Sequence, residues 1–372
     1  MPSPAPTIGP TDFVFTRPTL DIAIGDGNPG NNDYSASGPY GEISTWDVSG
    51  ITDFTDLFNG KALFNENIEA WITSSVASLV QTFQGAAAFN QPLDGWDTSS
   101  VVDMDSTFES AILFNQPLNS WDTSKVTSLK DLFGYASAFN GPVNNWDVSR
   151  VVNMISVFTD TKFNQPLNNW DSSSSENMWD TSKVTDMGYM FYGTALFNVG
   201  IDNWDVSNVS SMKYMFYDSG YNQPLNNWDV SKVTDMDSMF QNNGAGKFNQ
   251  NINNWDVGRV QNFRYMFFNA WLDHPCSSWD VSSGTNFEYM FYNVWFDYDM
   301  SSWNVAKGTN FQSMFEWGTL NQNLCDWGNG ATPIISNSAV TTDMFAGAAN
   351  CPSQANPDLT VSPRGPFCHV CP

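Results

Sequence analysis

The chain has 372 residues, a formal net charge of −25 and an isoelectric point near 4.1. An acidic balance of that size argues against nucleic acid and anionic membrane as partners, because both are held by basic patches. No run is long and apolar enough to cross a bilayer, so membrane insertion is not expected.

Met1-Pro-Ser-Pro-Ala-Pro opens a Pro-rich linker over residues 1–12. No charged segment with an apolar stretch behind it begins the chain, so a secretory signal peptide is expected to lie outside this sequence. Residues 13–45 read as an N-terminal cap. Residues 46–352 are a repeat region, marked by Trp46, Trp71, Trp96, Trp121, Trp146, Trp179, Trp204, Trp228, Trp255, Trp279 and Trp303. The spacing is 24 to 27 residues, interrupted once near Trp170, and a Phe follows each Trp twelve residues later, from Phe58 to Phe315. Such a period denotes one supersecondary unit stacked about twelve times, a solenoid whose function lives on a face or in an irregular coil.

Asn226 to Phe248 shows the unit: Asn-Asn-Trp-Asp-Val-Ser-Lys-Val-Thr-Asp-Met-Asp-Ser-Met-Phe, then a return through Phe-Asn. Trp and Val two apart share one face of a strand, and the Ser behind them fits a helix N-cap. Val101, Met104, Thr107, Phe108 and Ala111 then recur at helical spacing. Pro92, Pro117, Pro142, Pro166 and Pro224 fix an extended return. The fold class expected is therefore an α/β repeat, a leucine-rich-repeat-like solenoid with one short strand and one short helix per coil. The Trp, Met and Phe columns are core. Asn65, Asn90, Asn115, Asn140, Asn164, Asn198, Asn222 and Asn249 are expected to form a hydrogen-bonded ladder at the turn.

Tyr40-Gly-Glu-Ile-Ser-Thr-Trp-Asp-Val-Ser49, Phe89-Asn-Gln-Pro-Leu93 and Val233-Thr-Asp-Met236 resemble the bacterial surface protein 26-residue repeat family. These are the BspA-like relatives of leucine-rich repeats, found in mycoplasma surface lipoproteins and large secreted algal proteins. The resemblance spans about Phe13 to Phe345, and Phe15-Thr-Arg-Pro-Thr-Leu20 resembles the family's capping helix. It implies a cell-surface or extracellular place, adhesion or matrix roles, and no catalytic residues. The sequence departs from the pattern late, where Leu272-Asp-His-Pro and Phe296-Asp-Tyr-Asp replace the usual return and Gly284 and Gly308 replace Val.

Three features are candidates for function. The first is a column of Asp that follows most of the repeat Trp, including Asp97, Asp122 and Asp147. Neighbouring carboxylates would stand about 5 Å apart and repel. Lys125, Arg150, Lys183, Lys232, Arg259 and Lys307 stand three residues later, so a salt-bridged, backbone-capping ladder is the simpler reading. A Ca²⁺ ladder is the alternative, weakened by the six to eight oxygens that Ca²⁺ takes. The second is the doubled Trp170 and Trp179 around Ser172 to Ser175, either a tolerated insertion or a binding bulge. The third is Trp271 and Trp295 at equivalent positions, with Tyr298 and Trp317 near. They either compensate packing beside Gly284 and Gly308, or form an apolar strip for a sugar ring or a partner protein.

All five cysteines lie in the last quarter. Cys325 and Cys351 are 26 residues apart, one coil length, and are expected to pair. Cys276 replaces an inward Leu and should be a buried free thiol. Cys368 and Cys371, in a tail over 353–372, read as the first turn of a Cys-rich module, with half a zinc site as the alternative. Asn208-Val-Ser210 is a single glycosylation sequon.

Only His274 and His369 occur, and no Gly-x-Ser-x-Gly, His-Glu-x-x-His or phosphate-loop pattern is present. The function expected is a non-enzymatic extracellular structural or adhesive module of a larger surface or matrix protein. It would work without a cofactor, through other surface or matrix proteins or by self-assembly. A carbohydrate-binding module is the first alternative and a polysaccharide-active enzyme the second.

Overall fold

The structure is a computed structural model and describes residues 14–25, 40–167, 179–242, 244, 248–329 and 335–371. The linker at 1–12 and Trp170 lie outside these residues. The chain divides into two compact units, Met1–Val151 with Val157–Trp179, and Val152–Ser156 with Asp180–Pro372. The division falls beside the interruption of the period.

The backbone of each repeat alternates between two partners. In the first unit the amides of Leu79, Gln81, Phe83 and Gly85 donate to carbonyls of Asp103, Asp105, Thr107 and Glu109 in the next repeat, at 2.7–3.0 Å. The intervening Thr82, Gln84 and Ala86 donate three residues back, at 3.0–3.1 Å. In the second unit Met187, Tyr189, Phe191 and Gly193 reach Ser211, Lys213, Met215 and Tyr217, while Met190 and Tyr192 close turns. In most repeats two residues, four apart, are left-handed, as at Gln81 (φ 54°) and Gly85 (φ 68°).

This overturns the expected α/β fold class, a leucine-rich-repeat-like coil with one strand and one helix each. Among the described residues, helix is confined to α1 (Arg17–Ile24), α2 (Asp326–Asn329) and a 3₁₀ turn at Ile43–Thr45. Strand pairing outside the tail is reduced to isolated parallel bridges, such as Asp53–Ser78–Asp103 and Asp186–Ser211–Asp235. A helix needs consecutive right-handed residues and bonds to the fourth residue back. A left-handed residue every fourth position prevents both, and every second amide is committed to the next repeat. The apolar spacing misled because turns closed every three residues return side chains to one side much as a helix does. Val101, Met104, Thr107, Phe108 and Ala111 are all buried.

The core is columnar. In the first unit Phe58, Phe83, Phe108, Phe133 and Phe158 stack at 5.3–5.9 Å between centroids. Trp96, Trp121 and Trp146 stack at 6.4–6.5 Å. In the second unit Phe191, Phe216, Phe240, Phe267, Phe291 and Phe315 continue at 5.6–5.8 Å. Trp327, which breaks the twelve-residue Trp-to-Phe spacing, still joins its column, 6.3 Å from Trp303. The Asn ladder forms: in the first unit Asn90, Asn115, Asn140 and Asn164 each donate their amide to Oδ1 of the Asn one repeat back, at 2.7–2.9 Å.

The late coils pack without a gap. A Cβ on Gly284 would lie 2.3 Å from the Phe287 ring, and one on Gly308 2.1 Å from Phe311. The lost Val volume is therefore returned by a larger neighbour three residues on.

Both ends of the array are capped. Arg17, at the start of α1, donates to the carbonyls of Asp53 (2.9 Å) and Thr55 (2.6 Å), which otherwise lack an earlier repeat to bond. Gly25 ends α1 in the left-handed region, which only glycine enters without strain. At the other end the tail folds back. The expected Cys325–Cys351 bridge does not exist; Cys325 pairs with Cys371 and Cys351 with Cys368, at Cα separations of 5.5 and 5.0 Å. The reason is that the tail lies against the last repeats, with Leu324 donating to Phe367 O and Ser353 to Cys368 O. Cys368 and Cys371 therefore find partners within this chain. Cys276 is a buried free thiol, and burial pushes its pKa up.

Candidate functional site

Each Asp that follows a column Trp accepts, through Oδ1, the amide two residues on. Asp97, Asp122 and Asp147 do so from Ser99, Ser124 and Ser149 at 2.9–3.0 Å. The Ser hydroxyl and amide hold Asp97 and Asp122 below the usual carboxylate range, with Lys125 adding to the effect. Among the described residues, no ion pair joins this column to Lys125, Arg150, Lys183, Lys232, Arg259 or Lys307. The salt-bridged part of the expectation is thus corrected: the carboxylates are turn caps. Among the described residues no three His, Cys, Asp or Glu gather where an ion could be held.

Trp179 is buried in the core, its Nε1 donating to Val143 O at 3.3 Å, so it is not a contact residue. The Trp170 half of that candidate, with Ser172 to Ser175, lies outside the described residues. Asn208 is exposed, but its Nδ2, the atom a glycan would take, donates to Ser182 O at 2.7 Å.

Trp271 and Trp295 are 58% and 78% exposed, and with Asn249 and Asp273 they line one cleft of about 370 Å³. Since Phe287 and Phe311 already fill the space beside the glycines, packing does not account for these two rings. Tyr298 donates its hydroxyl to Asp273. Trp317 is 59% exposed but stands apart: its Nε1 reaches Glu316 at 2.9 Å and its ring lies over Gly347.

Sequence reasoning missed a larger aromatic surface in the second unit. Tyr189 stacks on Tyr214 (4.7 Å, 6°) and Tyr192 on Tyr217 (4.5 Å, 2°). Tyr265 stacks on Tyr289 (4.7 Å, 23°) and Phe268 on Tyr292 (4.6 Å, 6°). Within each repeat the two rings lie 5.2–5.9 Å apart, so the eight form two blocks of four, separated by the repeat that carries Ser238 and Gln241. All eight are half-buried. Arg264 lies 4.5 Å over the Tyr265 ring and pairs with Glu288 (3.0 Å) and Asp237 (3.6 Å). Burial pushes the Asp237 carboxyl up, against the Ser238 hydrogen bond and Arg264.

The rings occupy costly positions. Tyr189, Tyr214, Tyr265 and Tyr289 all have φ of 54–58°. A side chain other than Gly, Asn or Asp is unfavourable there by about 1–2 kcal/mol. The first unit places Asp56, Gln81, Ser106 and Asp131 at the same left-handed position. The fold therefore does not demand an aromatic. The signal was present in the sequence as Tyr-Met-Phe-Tyr or Tyr-Met-Phe-Phe at 189, 214, 265 and 289, but a helical reading absorbed its Met and Phe and passed over the Tyr.

A family model described as "Mycoplasma protein of unknown function, DUF285" matches residues 33–133, 114–178, 176–271 and 243–356. The chain belongs to this family. DUF285 is a repeat family, which agrees with the mycoplasma-type repeats that the motifs resemble, and its description assigns no activity. No curated protein and no solved structure matches the chain.

Proposed function

We propose that this DUF285 chain is a non-enzymatic adhesive module of an extracellular or cell-surface protein, and that it binds a protein partner through the two tyrosine blocks. The observation that carries the reading is four tyrosines held in left-handed backbone, where the same fold elsewhere accepts polar residues. Strain of this kind persists where it serves a site. The pre-stacked rings offer edges and hydroxyls with little side-chain freedom left to lose, which suits a protein interface. Arg264, Glu288 and Asp237 form a charged border. The net charge of −25 selects a partner with a basic surface. Two disulfides fit an oxidising compartment.

The test uses beads carrying the whole chain on layers of cells and of extracellular-matrix protein. Attachment should fall at least about tenfold for the Tyr214→Asn/Tyr289→Asn double variant. It should also fall after protease treatment of the layer. Asn suits the left-handed position, so the variant keeps its fold. Attachment unchanged in the variant, or lost only after glycosidase treatment, overturns the reading, as does self-association of the chain through the same residues.

A further inference from the structure

In the second unit the ladder is broken at the tryptophan cleft. In the second unit Asn249 donates to Asn222 Oδ1 at 2.9 Å, and Asp273 donates to Asn249 Oδ1 at 2.9 Å. The next rung would be the amide of Asp297 on the Asp273 carboxylate, and it is not made among the described residues. The ladder resumes with Asn321 on Asp297 Oδ1 at 2.8 Å. At the broken rung the carboxylate of Asp273 turns to the Tyr298 hydroxyl, which donates to Oδ1 at 3.2 Å and to the Asp273 carbonyl at 3.1 Å. Among the described residues no donor reaches its Oδ2. Asn249 spends its Oδ1 on the ladder, and among the described residues no acceptor takes its Nδ2. Asn249 and Asp273 line the cleft with Trp271 and Trp295.

We propose that this cleft binds an uncharged saccharide. The proposal rests on the recognition reading above and names a second ligand class for the module. Four features lead to it. The volume of about 370 Å³ lies in the small-ligand range and holds one or two sugar rings. Two exposed indoles give flat, electron-rich faces, which suit the C–H faces of a pyranose. Asn249 Nδ2 donates and Asp273 Oδ2 accepts, and a sugar hydroxyl does both. A carboxylate at the cleft, in a chain of net charge −25, repels acidic sugars. A quaternary ammonium would gain the π faces and the carboxylate but could not accept from Asn249. A purely apolar side chain would strand both polar groups. Tyr298 is a positioning residue, holding the carboxylate off the ladder and toward the cleft.

The full chain is titrated by calorimetry with cellotriose, laminaritriose and chitotriose, and in parallel with tetramethylammonium. At least one trisaccharide should bind. Trp295→Ala should weaken it at least about tenfold while melting as wild type does, because that ring is mostly exposed. Asp273→Asn places there the residue of the preceding rung, Asn249, so it should fold normally and weaken binding about five- to tenfold. Binding of tetramethylammonium alone, no binding of any trisaccharide, or unchanged affinity in Trp295→Ala overturns the proposal. Tyr214→Asn/Tyr289→Asn should leave trisaccharide binding intact, so failure here and failure of protein adhesion are read separately.

Discussion

The Nε1 of Trp96 donates to the carbonyl of Ile68 at 3.0 Å, and that carbonyl also accepts the main-chain amide of Trp71 at 3.1 Å. The same double acceptor recurs at Leu93, bonded by Trp96 N and Trp121 Nε1, both at 3.0 Å. The Trp96 and Trp121 indoles are thus both core filling and staples to the preceding repeat.

Trp121→Phe should lose the staple, costing about 1 kcal/mol, with a further cost for the void left by the missing ring atoms. Phe133→Ala, which leaves a hole 3.7 Å from the Phe139 ring centroid, should cost about 3–5 kcal/mol. Urea unfolding checks both. A Phe133→Ala midpoint equal to wild type would show that the column is not holding the fold.

Glycines should separate by cause. Gly85 has φ 68° and an added Cβ would meet Gly60 Cα at 3.6 Å and N at 3.7 Å, ordinary contact distances, so Gly85→Ala should cost the backbone strain alone, about 1–2 kcal/mol. At Gly141 an added Cβ would sit 2.3 Å from the Gln116 carbonyl oxygen, so Gly141→Ala should cost more. Ser106→Gly, at φ 55°, should be neutral or stabilising by up to about 1 kcal/mol. The order of the three melting temperatures decides the matter.

Acid should weaken the fold through the turn-capping aspartates. Asp97, Asp122, Asp229 and Asp280 are depressed by Ser hydrogen bonds. A depressed carboxyl adds stability that is present above its unfolded pKa and is lost as pH falls through its folded one, hence below about pH 4. Asp105 and Asp237, raised by burial, act in the opposite sense: the stability tied to their protonated forms is lost as pH rises through their folded values. Asp122→Asn should flatten the fall in melting temperature between pH 5 and about pH 3. An unchanged slope would remove the caps from the account. EDTA should leave the melting temperature where it is.

Peptide mass spectrometry without reduction should find Cys325 linked to Cys371 and Cys351 to Cys368. The separations of 46 and 17 residues correspond to about 4 and about 3 kcal/mol of chain-entropy stabilisation. Reduction should strip hydrogen-exchange protection from residues 320–371 before residues 101–111. A Cys325–Cys351 linkage would contradict the tail's placement.

The sequence by itself determined which residues are core and which form ladders. Trp96, Phe108, Met104 and Asn115 recur at a fixed period, and identical side chains at a fixed period can satisfy one another only by stacking. It also implied the cap, through the resemblance of Phe15-Thr-Arg-Pro-Thr-Leu20 to the family's capping helix. It did not determine the backbone. Gln81, Ser106 and Tyr189 carry no local preference for the left-handed region. They are held there because their amides bond to Asp105, Lys130 and Lys213 one repeat away. Only the tertiary structure therefore decided that the segment is a chain of turns rather than a helix. From that same backbone follow the outward tyrosines, and from the return of the tail against Leu324 follows the disulfide pairing. Each depends on contacts between segments 17 to 46 residues apart, which no local pattern encodes.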